Sequence, residues 1–187
     1  GEGGTDQVWK TDLAGAAATQ VTKLPLDVQA YQITPDGKGV VVGLAVFPEC
    51  KGSEIACTVK KQADRKADKS SGMVYDKIFV RHWDTWADGT RNHLFYIPMA
   101  GGDAVVLTDG YDGDVPSKPY GDEADYTISP DSKTVWFAAR EAGKSEPWST
   151  NFDIYSVPAA GGALTNHTAE NKAWDGTPRV SPDGKTV

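Results

Sequence analysis

Short stretches of alternating apolar and polar residues recur along the chain, and glycines end each stretch. Three of them share one phrase, in which alternation runs into a turn at one or two glycines, over residues 8–15, 94–102 and 154–162. Alternation with a period of two is typical of β-strands, and the glycines that follow favour a hairpin turn. A second short strand is predicted after each phrase, and it ends in a threonine: Thr22, Thr108 and Thr165. The pattern predicts antiparallel strand pairs.

A second phrase supplies the turns between other strands. Ser or Thr, Pro, Asp, Gly or Ser, and Lys follow one another at residues 34–38, 129–133 and 181–185. Proline sets the backbone angle of the first turn position, aspartate hydrogen-bonds its own backbone, and glycine accepts a positive φ. Apolar residues follow the first two copies, so each turn is expected to lead into an outgoing strand.

The spacing of these turns predicts repeated four-stranded units. The last two copies lie 52 residues apart, close to the roughly 40–50 residues of a propeller blade. The first two are 95 apart, which predicts an insertion at about residues 48–77. We therefore expect an all-β chain: a β-propeller fragment of four-stranded antiparallel blades with one short helical insertion. Residues 1–187 would hold about two whole blades and two partial ones. Because a propeller must close on itself, they would belong to a longer protein.

The predicted insertion carries a helical pattern and both cysteines. Four apolar residues at i, i+4 spacing predict a short surface helix: Ile55, Val59, Ala63 and Ala67. Cys50 and Cys57 are too far apart for a Cys-x-x-Cys motif. Their flexible loop favours a disulfide, and two free thiols are the alternative. A disulfide would indicate an oxidising compartment.

Charge and composition exclude several partners. The formal net charge is −7 and the pI about 4.9, which opposes binding to nucleic acid. The longest apolar run, residues 40–47, is too short to span a bilayer. The histidines His82, His93 and His167 have no second ligand at a familiar metal spacing. We expect no metal and no cofactor.

Two aromatic segments carry a resemblance to a known protein family. Residues 80–94 read Val-Arg-His-Trp-Asp-Thr-Trp, then Asp-Gly and Asn-His-Leu, and residues 146–155 begin Glu-Pro-Trp-Ser-Thr-Asn. With the Cys50 to Cys57 loop, they resemble the propeller of bacterial dipeptidyl and acylaminoacyl peptidases in the prolyl oligopeptidase family. The likeness extends over nearly the whole chain.

The resemblance implies a secreted or periplasmic serine exopeptidase that hydrolyses short peptides. Its propeller would gate access to a C-terminal α/β-hydrolase domain of the same polypeptide, which holds a Ser-Asp-His triad. A homodimer is compatible with it, and both dipeptidyl and acylaminoacyl release stay open. The alternative is a propeller of the TolB type, which shares the turn phrases but acts as a protein-binding scaffold with no peptidase domain.

The stretch itself is not expected to be catalytic. It lacks the Gly-x-Ser-x-Gly nucleophile elbow, and the nearest string, residues 143–147 around Ser145, has no final glycine. His82 is expected to be a hydrogen-bonded structural residue. Trp83 and Trp86 would point to opposite sides of a regular strand, so that one packs between blades and the other lines a rim.

Two loop acids are the candidate substrate-binding residues. Asp122 and Glu123 follow Pro-Tyr-Gly and precede a predicted strand. Aminopeptidases of the family that the chain resembles hold the free α-ammonium of the substrate with carboxylates. This resemblance suggests Asp122 or Glu123 as that anchor, whereas ordinary solvated loop acids are the alternative.

Overall fold

Strands make up most of the regular structure of the chain. The computed structural model describes residues 4–51, 54–141 and 143–187. Its elements, in chain order, are β1 (Trp9–Thr11), β2 (Ala18–Gln20), β3 (Val28–Ile33), β4 (Gly39–Val46), α1 (Glu54–Ala67), β5 (Arg81–His82), β6 (Thr85–Trp86), β7 (Arg91–Pro98), β8 (Val105–Val106), a 3-10 helix (Glu123–Asp125), β9 (Tyr126–Ile128), β10 (Thr134–Ala139), β11 (Asp153–Pro158) and β12 (Thr165–Asn166). Within these residues every strand pairing is antiparallel and α1 is the single α-helix, as the alternation and the i, i+4 spacing predicted.

The strands of the described residues form two four-stranded sheets and two small hairpins. The first sheet has the order β3-β4-β7-β8, and the second has the order β9-β10-β11-β12. Strands β1 and β2 form one hairpin, and β5 and β6 form the other. In the first sheet β4 pairs directly with β7, so residues 47–90 connect two neighbouring strands. The predicted helical insertion falls inside this connection.

Alternating side chains of β4 build a core on each face of the first sheet. Val41 faces the second sheet, where it belongs to one buried cluster with Phe137. Its neighbours Val40 and Val42 face the other way and pack with Leu26. This follows from the alternation of side chains along a strand. Because both faces of β4 are covered, the strand is a continuous apolar run and not an alternating one.

The Pro-Asp turns form as predicted, with the same hydrogen bonds in each copy. In the first copy the Asp36 carboxylate accepts from the Thr34 hydroxyl at 2.7 Å and from the backbone N–H of Lys38 at 3.0 Å. These bonds, led by the one from Lys38, lower the pKa of Asp36. The equivalent bonds recur around Asp131 and Asp183. The residue after each aspartate has a positive φ: Gly37, Ser132 and Gly184.

In each copy of the glycine-turn phrase, a backbone N–H of the first strand donates to a threonine hydroxyl. The threonine lies fourteen residues further along the chain. Thr22 accepts from the backbone N–H of Val8, and Thr108 accepts from that of Leu94. In the third copy the acceptor is Thr168, which the backbone N–H of Ile154 reaches at 2.9 Å. Thr165, which was expected to end the short strand after the third phrase, instead begins β12 and pairs with Ser156 in the ladder.

Helix α1 is fixed to the end of β4 by covalent and noncovalent contacts. Cys50 and Cys57 form a disulfide with a Cα–Cα distance of 5.6 Å, which confirms the favoured pairing. The backbone N–H of Phe47 donates to the Thr58 hydroxyl at 3.1 Å, and the Arg65 guanidinium lies 4.3 Å from the centre of the Phe47 ring. No helix in the described part of the chain is long and apolar enough to cross a membrane.

Candidate functional site

A broad cleft lies where the two long connections meet. It has a volume of about 1820 Å³. One wall is the β5–β6 hairpin with the segment before it, another is the loop at residues 110–121, and the floor is the beginning of β7. The connection at residues 140–152, between β10 and β11, completes the rim. Loops of both sheets therefore converge on one concave surface, the kind of place where ligands bind.

An arginine at the start of β7 joins the connections. The Arg91 guanidinium makes two hydrogen bonds to the Glu146 carboxylate, both at 2.9 Å, and one to Asp114 at 2.8 Å. Burial opposes the charge of Arg91, but the bonds to Glu146 and Asp114 outweigh it and hold its pKa above the ordinary value. The side chains of Asp114 and Glu146 are only 7% and 13% exposed, so this charge cluster is largely shielded from solvent.

The two residues after Arg91 bring neutral polar atoms to the cleft. Asn92 and His93 both line it and are 5% and 3% exposed. The Asn92 side-chain N–H donates to the Pro116 carbonyl at 3.0 Å. Within the described residues, the buried Asn92 Oδ1 atom has no hydrogen-bond partner, whereas the His93 ring interacts with the backbone of Tyr111. Burial lowers the pKa of His93, and the Asp114 carboxylate only partly offsets this effect.

The β5–β6 hairpin gives the cleft an aromatic wall. The Trp86 ring stacks on Tyr75 with a centroid distance of 5.9 Å, and the Arg81 guanidinium lies 5.2 Å from the Trp86 ring. His82 Nε2 and the Tyr120 hydroxyl are 3.0 Å apart, so the structural hydrogen bond expected for His82 is present.

Neither tryptophan packs between the sheets of the described residues, although one was expected to pack between blades. Trp83 and Trp86 are 75% and 55% exposed. The predicted regular strand is a hairpin with two residues in each arm, and Trp83 lies in its turn with a φ of 46°. Neither tryptophan is therefore part of a sheet that packs against another.

The predicted substrate-binding acids lie at the second sheet. Asp122 caps the 3-10 helix, since its carboxylate accepts from the backbone N–H of Ala124 at 2.7 Å. The Glu123 carbonyl accepts from the Gln32 side chain at 2.6 Å. Both side chains are exposed, and neither lines the cleft, whereas Gly121 next to them does. Their role as an ammonium anchor stays a prediction.

The serines do not form a catalytic triad in the described residues. Ser145 is exposed in a turn. Ser156 and His167 Nε2 are 2.8 Å apart, and the histidine ring lies against Trp136, at 4.5 Å between centroids. No carboxylate hydrogen-bonds the other ring nitrogen of His167 among the described contacts, and the backbone of Ser156 is paired inside β11. The pair lacks the orienting acid and the free N–H groups that acyl transfer needs. No cluster of three or more histidine, cysteine or acidic side chains that could hold a metal occurs in the described ranges.

Sequence reasoning missed Arg91, Asn92 and His93 as a group. Arg91 and Glu146 are 55 residues apart in sequence, and charged residues in loops are usually solvated. The signal available was the position of all three at the start of an apolar strand, because ligand-contacting residues often lie where a strand begins or ends.

The chain is related to dipeptidyl peptidases. It is 32% identical to dipeptidyl-peptidase 5 of Porphyromonas endodontalis over 91% of this chain and 24% of that protein. It is 31% identical to dipeptidyl-peptidase 5 of Porphyromonas gingivalis over 64% of this chain and 18% of that protein, and 25% identical to dipeptidyl-peptidase 4 of Giardia intestinalis over 98% and 28%. The chain thus spans about a quarter of the length of the first of these relatives. No protein-family profile matches it.

Proposed function

We propose that this chain is the non-catalytic propeller portion of a serine exopeptidase that releases dipeptides from short peptides. The observation that carries the proposal is the match to dipeptidyl-peptidase 5, which takes in 91% of this chain but only 24% of the relative. An α/β-hydrolase domain elsewhere in the same polypeptide supplies the catalytic triad. The propeller controls which peptides reach it.

The two four-stranded sheets are blades of this propeller. Their strands follow one another in chain order from one edge of each sheet to the other. The same turn and the same threonine hydrogen bond recur in both. The sheets pack face to face through one buried cluster, as neighbouring blades do in radial repetition.

The enzyme works in the periplasm or outside the cell. The Cys50–Cys57 disulfide supports this location, because disulfides persist in oxidising compartments. Asp122 or Glu123 holds the α-ammonium of the peptide. Both acids are exposed at the start of the 3-10 helix, next to the cleft-lining Gly121, a position from which they can contact a ligand.

The test is performed on the polypeptide expressed from its complete reading frame. A purified sample is expected to release chromophore from dipeptidyl p-nitroanilides, more slowly from aminoacyl ones, and to lose activity after treatment with a fluorophosphonate. Mass spectrometry should place the labelled serine outside residues 1–187. Residues 1–187 alone serve as the control and should neither cleave nor take up label.

Three results would count against the proposal. A full-length protein that takes up no label and releases no dipeptide would favour the scaffold interpretation. A labelled serine within residues 1–187, such as Ser156, would place the chemistry in the propeller itself. Faster cleavage of N-acylated aminoacyl substrates than of dipeptidyl ones would assign acylaminoacyl release instead.

A further inference from the structure

Residues 68–79, which join α1 to the β5–β6 hairpin, lie outside any helix or strand. Eleven of these twelve residues are exposed, and Tyr75 is half-buried. Within the described residues, no backbone N–H or C=O of residues 69–79 is hydrogen-bonded to another backbone group. The backbone of this segment can therefore be bound by another protein without first breaking a hydrogen-bonded ladder.

Both ends of the segment are held in place. The backbone N–H of Asp68 donates to the carbonyls of Asp64 and Arg65, at 3.1 and 3.2 Å, in the last turn of α1. The Arg65 guanidinium in turn donates to the Asp88 carbonyl. At the other end the backbone N–H of Ala87 donates to the Val80 carbonyl at 2.9 Å. The exposed segment thus lies between two fixed points.

The first part of the segment has the composition of a peptidase-sensitive loop. Residues 68–72 read Asp-Lys-Ser-Ser-Gly, and exposed loops of small and polar residues are preferred sites of proteolytic nicking. The side chain of Lys69 is exposed and forms no ion pair among the described residues. Since proteins often bind peptides as extended strands through backbone groups, both the backbone and the charge of Lys69 are available for recognition.

Other exposed basic residues lie in backbone that is more strongly held. Lys60 belongs to α1, so cleavage after it requires local unfolding of the helix. Lys77 lies near the hairpin, in the part of the segment where Tyr75 stacks on Trp86. Lys144 lies beside a turn that backbone hydrogen bonds close. Lys69 is therefore the most accessible of these four positions.

We infer that residues 68–72 are a proteolytic processing site, cut between Lys69 and Ser70 by a peptidase that recognises a basic residue. Water adds across the amide bond, which leaves a carboxylate on Lys69 and an ammonium group on Ser70. Strands β4 and β7 lie on opposite sides of the cut and stay paired at eight positions, so the two parts remain together.

The cut also affects the cleft. Residues 70–79 line one of its walls, and after cleavage they are attached to the protein only through the hairpin. Processing therefore loosens this wall while both four-stranded sheets stay folded. The inference goes beyond the proposed function and requires no activity of the chain itself.

Limited digestion with trypsin tests the position of the cut. The polypeptide expressed from its complete reading frame is treated briefly at neutral pH, and the fragments are identified by mass spectrometry and N-terminal sequencing. Within residues 1–187, the first cut should leave Ser70 as the new N-terminus. An earlier cut elsewhere in these residues, such as after Lys77 or Lys144, would overturn the inference, as would resistance of the Lys69–Ser70 bond.

Two matched variants show whether the site depends on Lys69. Lys69→Gln should slow the first cut within residues 1–187 about tenfold, because the remaining basic positions need local opening. Lys144→Gln removes another exposed lysine in a connection and should leave the rate unchanged. Equal rates for the two variants would contradict the assignment.

The state of the cut protein tests the structural consequence. The two parts should elute together in gel filtration and separate only in urea. Hydrogen exchange should be unchanged in β4 and β7 and faster in the β5–β6 hairpin, which has lost one of its attachments. Separation of the parts without urea, or an unchanged exchange rate in the hairpin, would overturn the claim that cleavage loosens the wall and spares the sheets. These readouts are independent of dipeptide release, so a failure here leaves the proposed function standing.

Discussion

The two four-stranded sheets share their ladders and turns but differ in the connection between their second and third strands. In the first sheet residues 47–90 join β4 to β7, and they carry a helix, a disulfide and an aromatic hairpin. In the second sheet residues 140–152 make the equivalent link between β10 and β11. Because the hydrogen-bonded ladder depends only on the strands, it tolerates connections of very different length.

The difference shows where specific chemistry can be added to a repeated scaffold. The buried faces are similar in character, with valine and phenylalanine on both sheets. The cleft, by contrast, is made from connections, and Arg91 of the first sheet binds Glu146 in the connection of the second. The following predictions test how far the stability of one sheet depends on the other, beginning with the contact between Arg91 and Glu146.

Removal of the contact between Arg91 and Glu146 should have the largest effect on stability. Arg91→Leu leaves the Glu146 and Asp114 carboxylates buried without a partner, which should lower the free energy of unfolding by about 3 kcal/mol. Urea denaturation measures the loss. Adding Glu146→Gln to Arg91→Leu should recover part of it, because one unpaired charge is removed.

An exposed ion pair provides the control for this prediction. Lys60 and Asp64 in α1 lie 2.5 Å apart, with their side chains 76% and 63% exposed. Lys60→Ala should cost no more than about 0.5 kcal/mol. If Arg91→Leu costs as little, the two sheets are not coupled through this cluster.

The disulfide should stabilise the long connection of the first sheet and leave the second sheet unaffected. A crosslink between residues separated by seven positions is worth about 2.5 kcal/mol when estimated from chain entropy. The double variant Cys50→Ala with Cys57→Ala should therefore speed hydrogen exchange in α1, while amides of β10 and β11 keep their protection. Equal acceleration in both sheets would show that the tether acts on the whole molecule.

The threonine hydrogen bonds compare equivalent positions in the two sheets. Thr108 is fully buried, so Thr108→Val should cost about 1.5 kcal/mol by leaving the Leu94 N–H unpaired. Thr168 is only partly buried, and water can replace its hydroxyl, so Thr168→Val should cost about half as much. Thr165→Val is the control with almost no effect. A larger loss for Thr165→Val than for Thr168→Val in thermal unfolding would contradict the structural assignment.

These contrasts also explain what the sequence could predict. The Pro-Asp turns, the helix and the disulfide depend on residues within a few positions of one another, so local chemistry was sufficient. The hydrogen bond of Thr168 could not be predicted in this way, because it depends on the register of β11 with β12, in which Thr165 pairs with Ser156.

The exposure of Trp83 and Trp86 and the contact between Arg91 and Glu146 could not be predicted from neighbouring residues, for a different reason. The length of the β5–β6 hairpin cannot be read from alternation over two residues in each arm. The partner of Arg91 is set by how two sheets pack, since Glu146 belongs to the connection of the other sheet. Contacts between units depend on the arrangement of the units, which repeats in the sequence do not specify.

The smallest expected effect concerns the Pro-Asp turns, where the sheets differ in the residue that follows the aspartate. The second sheet has Ser132 at φ 62°, where the first sheet has Gly37 at φ 67°. A serine in this left-handed region costs about 1 kcal/mol. However, its hydroxyl accepts a hydrogen bond from the backbone N–H of Asp36 at 3.0 Å and so joins the two turns. An exposed bond of this type is worth about 0.5 kcal/mol.

Strain and hydrogen bond therefore nearly cancel at Ser132, and three substitutions separate them. Ser132→Gly removes both and should change the free energy of unfolding by no more than about 0.5 kcal/mol, with a small gain expected. Ser132→Ala removes only the bond and should lose about 0.5 kcal/mol. Gly37→Ser adds strain without a bond to the neighbouring turn and should lose about 1 kcal/mol. If Ser132→Gly lowers the free energy of unfolding by clearly more than about 0.5 kcal/mol in urea denaturation and Ser132→Ala lowers it further, the bond between the turns outweighs the strain and the sheets are coupled at this end as well as at Arg91.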